Sequence, residues 1–186
     1  MHSIDDQAII AATREWVEKA VIGLNLCPFA KAVYVKDQIR YVVSTARDHD
    51  ALLRDLSAEL EHLAMARPDA IDTTLLIHPY ALTDFLDYNA FLDVADAALE
   101  ALNLDGQLQV ASFHPDYQFD GTAPDDIENY TNRSPYPTLH LLREDSVERA
   151  VAAFPEAADI FETNMRTLRK LGLRGWQALG LTPHAK

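Results

Sequence analysis

Residues 73–80 read Thr-Thr-Leu-Leu-Ile-His-Pro-Tyr, and residues 109–117 read Gln-Val-Ala-Ser-Phe-His-Pro-Asp-Tyr. Both are apolar runs with β-branched or aromatic residues, and both close on His-Pro. Proline holds the residue before it extended and withholds an amide from the ladder. Each histidine is therefore expected to end a strand. A segment with helical periodicity, residues 83–102, lies between the two runs. Strand, helix, strand implies a parallel pair joined by a crossover. On that reading His78 and His114 emerge side by side at the carboxyl edge of the sheet, where open α/β sheets bind their ligands.

The same pattern extends outward. Residues 38–45 read as an earlier strand. A helix capped by Asp48 or Asp50 follows, with Leu52, Leu53, Leu56, Leu60 and Leu63 on its apolar stripe and Pro68 closing it. A first helix over 5–24 carries Ile9, Trp16, Val17, Ala20, Val21 and Leu24 on one face. The helix between the His-Pro runs turns Phe85, Leu92, Ala95, Leu99 and Leu102 inward. Downstream come a fourth strand at 138–142 and a short helix after Asp145. A last helix starts at Pro155, presents Ile160, Phe161, Leu168 and Leu171, and ends at Gly172. The expected fold is α/β: one domain over residues 1–186, with helices covering a mixed, mainly parallel sheet of about four strands. Residues 173–186 are expected to form a loose C-terminal tail.

The formal net charge of −13 sets the class of partner. Such a chain repels phosphate backbones and anionic membranes, so nucleic acid is not an expected partner. No apolar run approaches the roughly 20 residues that span a bilayer, so no membrane partner is expected either. The single cysteine forms no intrachain disulfide, and the first residues lack the pattern of a signal peptide. The expected location is the cytoplasm.

Candidate chemistry gathers around the His-Pro ends. Imidazole titrates near neutrality and ligates metals when neutral. Asp116, two residues past His114, falls on the same side of an extended segment and suits orienting that ring or completing a metal site. Residues 115–137 form a long polar loop, a class of segment that is usually functional or disordered, and its aromatics, among them Tyr117, argue for order. Within it Arg133, flanked by Asn132 and Ser134, suits a carboxylate or phosphate. Cys27, before Pro28, reads either as the N-cap of a short helix with an activated thiol or as a small buried hydrophobe. His140, between Leu139 and Leu141, faces away from those leucines and reads as a satisfied, semi-buried histidine. No ligand spacing specifies a metal, and no motif names a cofactor.

Three blocks carry a resemblance: Asn25-Leu26-Cys27-Pro28-Phe29-Ala30, then Phe113-His114-Pro115-Asp116-Tyr117-Gln118-Phe119, then residues 129–137, Asn-Tyr-Thr-Asn-Arg-Ser-Pro-Tyr-Pro. Together they resemble a family of bacterial proteins described as a domain of unknown function. The resemblance spans nearly the whole chain and implies a bacterial cytoplasmic protein. It carries over no catalytic role.

The leading functional expectation is a small-molecule enzyme of hydrolase or transferase type. His78 and His114 are its acid/base groups or metal ligands, and Asp116 is their partner. Arg133, Asn132, Ser134, Tyr117 and Asn129 hold a small anionic metabolite. Two alternatives stay open: a Cys27 nucleophile without metal, and a non-catalytic binding module for an acidic metabolite.

Overall fold

The computed structural model describes residues 5–154 and 156–181. Pro155, expected to open the last helix, and residues 182–186 of the expected tail lie outside the described residues. Four strands form one sheet: β1 (Ile39–Val43), β2 (Thr73–Ile77), β3 (Leu108–Phe113) and β4 (Thr138–Arg143). The main helices are α1 (Asp6–Trp16), α2 (Ala30–Val35), α3 (His49–Met65), α4 (Phe85–Ala101), α5 (Glu144–Ala153) and α6 (Ile160–Ala178). A π-helical segment, Val17–Ile22, continues α1, and 3₁₀ turns stand at Ile127–Asn132 and Ala157–Asp159. The caps follow the sequence: Asp48 accepts from the Ala51 amide at α3, and Asp84 from the Leu86 and Asp87 amides at α4.

The sheet order is β1-β2-β4-β3. Only β1 and β2 pair in parallel; β4 runs antiparallel to both β2 and β3. The sheet is mixed, and the expectation of a mainly parallel one is corrected. β2 and β3 still point the same way, but they are not neighbours. The cause lies in burial. Central strands are covered on both faces and carry few polar residues. β2 is buried throughout, and β4 buries Thr138, Leu139 and Leu141, whereas β3 is buried only at Leu108. The chain after His114 turns back through residues 115–137 and lays the more apolar β4 into the centre, which leaves β3 as an edge.

Two layers of helix cover the sheet. Leu52, Leu56, Leu60 and Leu63 of α3 and Tyr88, Phe91, Ala95 and Leu99 of α4 pack on Leu76, Leu139 and Leu141 from one side. Trp16, Val17, Ala20 and Val21 pack on Leu75 from the other. At roughly 1.5–3 kcal/mol for each fully buried large apolar side chain, the α3–α4 side dominates the stabilisation. Gly172 sits inside α6 at φ 65°, a left-handed value that divides the helix into two segments. The expected stop at Gly172 is thus a kink, and helix resumes over the start of the expected loose tail.

Candidate functional site

Tyr88 joins the two His-Pro histidines. Its ring stacks on His78, with centroids 5.7 Å apart and planes 18° from parallel, and lies 5.0 Å from the ring of His114. Both histidines are fully buried. They share one edge of the sheet without lying on adjacent strands: β4 passes between them, and Tyr88 of α4 fills the gap.

Hydrogen bonds fix the tautomer of each ring. The Asp116 amide donates to His114 Nδ1 at 3.0 Å, so the proton sits on Nε2, which donates to the Leu82 carbonyl at 3.1 Å. Both nitrogens of His114 therefore serve the backbone. Leu82 pays for its part with a left-handed φ of 54°. His78 Nδ1 donates to the Ala81 carbonyl at 2.9 Å, while its Nε2 is buried without a partner. Burial pushes the His78 pKa down to about 4 and keeps the ring neutral.

The remaining candidate residues of the loop hold the loop itself. Asp116 contributes its amide, and its side chain is exposed. Arg133 lies over the Tyr130 ring at 4.6 Å and donates to the carbonyls of Tyr117 and Pro124. Asn132 donates to the Ser112 carbonyl, and Ser134 to that of Tyr136. Asn129 is fully buried; its Oδ1 accepts from the Phe119 amide and the Thr122 hydroxyl, and its Nδ2 donates to the Ala123 carbonyl. Tyr117 stands 5.1 Å from Phe85 and 5.0 Å from Phe119. Among the described residues, no three His, Cys, Asp or Glu side chains converge to hold a metal ion.

Besides Tyr88, sequence reading missed Ser44 and Asp55 at this edge. The parallel ladder continues past β1 through the Ser44 amide, which donates to the Ile77 carbonyl at 2.7 Å. Ser44 therefore follows the Val43–Ile77 pair and lies next to His78, both turned toward α3 and α4. Its hydroxyl donates to Asp55 Oδ2 of α3 at 2.5 Å and accepts from the Ala46 amide at 3.1 Å. Nothing in the local sequence links Ser44 to Asp55; the tertiary fold joins them.

The opposite face carries a second cluster. Tyr41, Leu75, His140 and Ala111 fall in register as one row across β1, β2, β4 and β3. Trp16 and Leu75 are buried together, and the Trp16 ring meets Phe113 edge-on at 5.1 Å. Phe113 lies 5.8 Å from His140. Phe113, Ala111 and His140 all remain half-buried. α4 packs on β3 from the other side, and on this side Trp176, Leu179 and Leu181 join Phe113 in packing against the Trp16 and Leu75 cluster. Ala111 is the small residue of the row and stands in register with His140.

Thr73 orients that ring. Its hydroxyl lies 2.6 Å from the Leu141 carbonyl and 2.7 Å from His140 Nε2. A carbonyl cannot donate, so the hydroxyl proton goes to Leu141 and Nε2–H donates to the hydroxyl. The His140 Nδ1 lone pair has no hydrogen bond among the described residues. Desolvation pushes the His140 pKa down to about 4. The imidazole is therefore neutral at physiological pH and only half-buried. Alternation placed His140 opposite its leucines correctly; only the register with Ala111 reveals the open nitrogen.

Cys27 packs against the Trp16 cluster and is half-buried. The Phe29 and Ala30 amides bond the sulfur, but burial outweighs them and pushes the thiol pKa up. The group is a thiol at neutral pH.

The family model described as Protein of unknown function (DUF1415) matches residues 8–178. The chain belongs to this family. The resemblance read from the three sequence blocks is thereby borne out. No curated protein and no solved structure matches the chain. No described helix is long and apolar enough to cross a membrane.

Proposed function

We propose that this member of the family binds a small molecule on the half-buried face formed by Ala111, Phe113 and His140. The observation that carries this reading is the open Nδ1 of His140 on a half-buried, aromatic stretch of sheet. Ligand sites are concave and mostly apolar, with a few placed polar groups that set orientation. Trp16 adds a buried Nε1–H without an acceptor beside the same Phe113 ring. Recognition of an acidic metabolite through Arg133 has less support, because that guanidinium is committed to the Tyr117 and Pro124 carbonyls.

Crowding that face tests the reading. Ala111→Leu places a branched side chain beside His140. Small aromatic fragments screened by protein-observed NMR are expected to shift the Phe113 and His140 signals. Their affinity is expected to fall at least about tenfold in the variant, a loss near 1.4 kcal/mol. Equal binding by the wild type and Ala111→Leu would remove this face from consideration.

A hydrolase at the carboxyl edge is a second reading, favoured by the contact of Ser44 with Asp55 beside His78. Asp55 accepts the hydroxyl proton, and the His78 tautomer leaves Nε2 as a base. Ser44 is 2% exposed, so substrate access requires this edge of the sheet to open. An active-site fluorophosphonate separates the readings by mass spectrometry. Labelling of Ser44 that disappears in Ser44→Ala supports the hydrolase, and an unlabelled protein refutes it.

A further inference from the structure

We infer that residues 173–181 form a hinged strap that closes the face of the sheet bearing Phe113 and His140, and that the strap swings about Gly172 to open it. The hinge rests on its own contacts; the use of the opening, entry of a small molecule, rests on the reading of that face as a ligand site.

The hinge comes from the backbone. Gly172 takes φ 65° and ψ 172° inside α6, a conformation that essentially only glycine adopts. A Cβ at Gly172 would meet no atom within 4 Å, so close packing is not what requires a glycine there. The turn between two helical segments requires it. These segments are held very differently. Before the hinge, Asn164 and Leu168 are buried, Asn164 Nδ2 donates to the Leu26 carbonyl at 2.8 Å, and Arg169 pairs with Glu128. After the hinge, none of residues 173–181 is buried. A segment with so little burial opens at small cost while the rest stays folded.

Beyond the hinge the chain crosses one strip of the sheet. At one end of that strip, Lys19 of the π-helical segment donates to the Leu179 carbonyl at 3.1 Å. That segment packs on Leu75 of β2, beside Ile39 and Tyr41 of β1. At the other end, Trp176 meets the Tyr130 ring of the 3₁₀ turn, with centroids 5.0 Å apart. The turn follows the outer edge of β3, where Asn132 accepts from the His114 amide and donates to the Ser112 carbonyl. Phe113 and His140 lie between these two anchors. Trp176, Leu179 and Leu181 pack with Phe113 against the Trp16 cluster. A strap tied down at its two sides accounts for rings that are covered and yet only half-buried.

Carbethoxylation of histidine in the full-length protein at pH 7 reads the opening. The reagent takes a free imidazole lone pair, and the bond of His140 Nε2 to Thr73 leaves one on Nδ1. His49 and His62 are exposed and set the full rate, while His78, buried on the opposite face, reports unfolding of the whole chain. Gly172→Ala strains the closed hinge, and Trp176→Ala removes the ring pair. Each is expected to raise labelling of His140, followed by peptide mass spectrometry, at least about fivefold while His78 stays unlabelled. The strap is overturned if neither variant labels His140 faster than the wild type, or if the wild type already labels it as fast as His49. It is equally overturned if His78 keeps pace with His140, since the whole chain is then opening. Small aromatic fragments test the purpose separately. They are expected to bind Gly172→Ala more tightly than the wild type, because less of the protein is held closed. Equal affinity overturns the strap as a gate. If labelling of His140 rises and no fragment binds either protein, the strap stands and the ligand reading fails.

Discussion

Replacing Tyr88 by alanine is expected to destabilise the protein by about 4 kcal/mol, within the range for emptying a buried aromatic site. The ring is fully buried and touches Phe85, His78 and His114. Its hydroxyl donates to the Thr138 carbonyl at 2.8 Å and accepts from the Phe113 amide at 3.0 Å. One side chain from α4 therefore joins the ends of β3 and β4 where they meet the long loop. Tyr88→Phe isolates the polar part. It keeps the ring, strands the Phe113 amide and the Thr138 carbonyl, and is expected to cost about 1–3 kcal/mol. Urea denaturation of both variants checks the pair. A Tyr88→Ala loss below about 1 kcal/mol would show that the two histidines are held without it.

Acid is expected to unfold the protein well above the ordinary carboxylate range. His78 and His140 both have folded pKa values of about 4, against an ordinary 6.5. Between those limits the unfolded chain binds protons that the folded chain refuses. Stability is therefore full above pH 6.5 and falls as the pH drops toward 4. A shift of this size corresponds to about 3 kcal/mol per histidine. Protonation of carboxylates works the other way by relieving the self-repulsion of an acidic chain. The two effects separate by mutation. His78→Leu and His140→Gln are each expected to remove about one proton from the pH slope of unfolding, measured by denaturant titration from pH 7 to pH 4. Slopes unchanged from the wild type would mean that both rings titrate normally.

These two residues mark the limits of what the chain discloses about itself. The His-Pro ends of β2 and β3 were legible, because proline acts on its immediate neighbour. The Leu52–Leu63 stripe and the Asp48 and Asp84 caps were legible for the same reason: each is a local pattern. Strand order was not. Periodicity reveals a strand and a crossover but not which later segment inserts between two earlier ones, and β4 did so. Tyr88 escaped the expected apolar stripe of its helix because α4 buries a different arc, through Tyr88, Phe91, Ala95, Ala98 and Leu99. Arg133 and Asn129 were legible as special but not as to purpose. Their bonds go to backbone groups of the loop, and these come within reach only once it has curled. His140 was read by its face alone, and its free nitrogen depends on a threonine 67 positions away.

The antiparallel seat of β4 has a consequence for synthesis. β2 and β3 leave the ribosome early, yet the strand that seals both is made last: Thr73 meets Leu141, 68 residues further on. Until that segment arrives, two apolar strands stand with open flanks, a state prone to pairing with another chain. A nascent chain stalled before residue 138 is therefore a natural client for a chaperone, and the protein becomes self-sufficient only as its last quarter is translated.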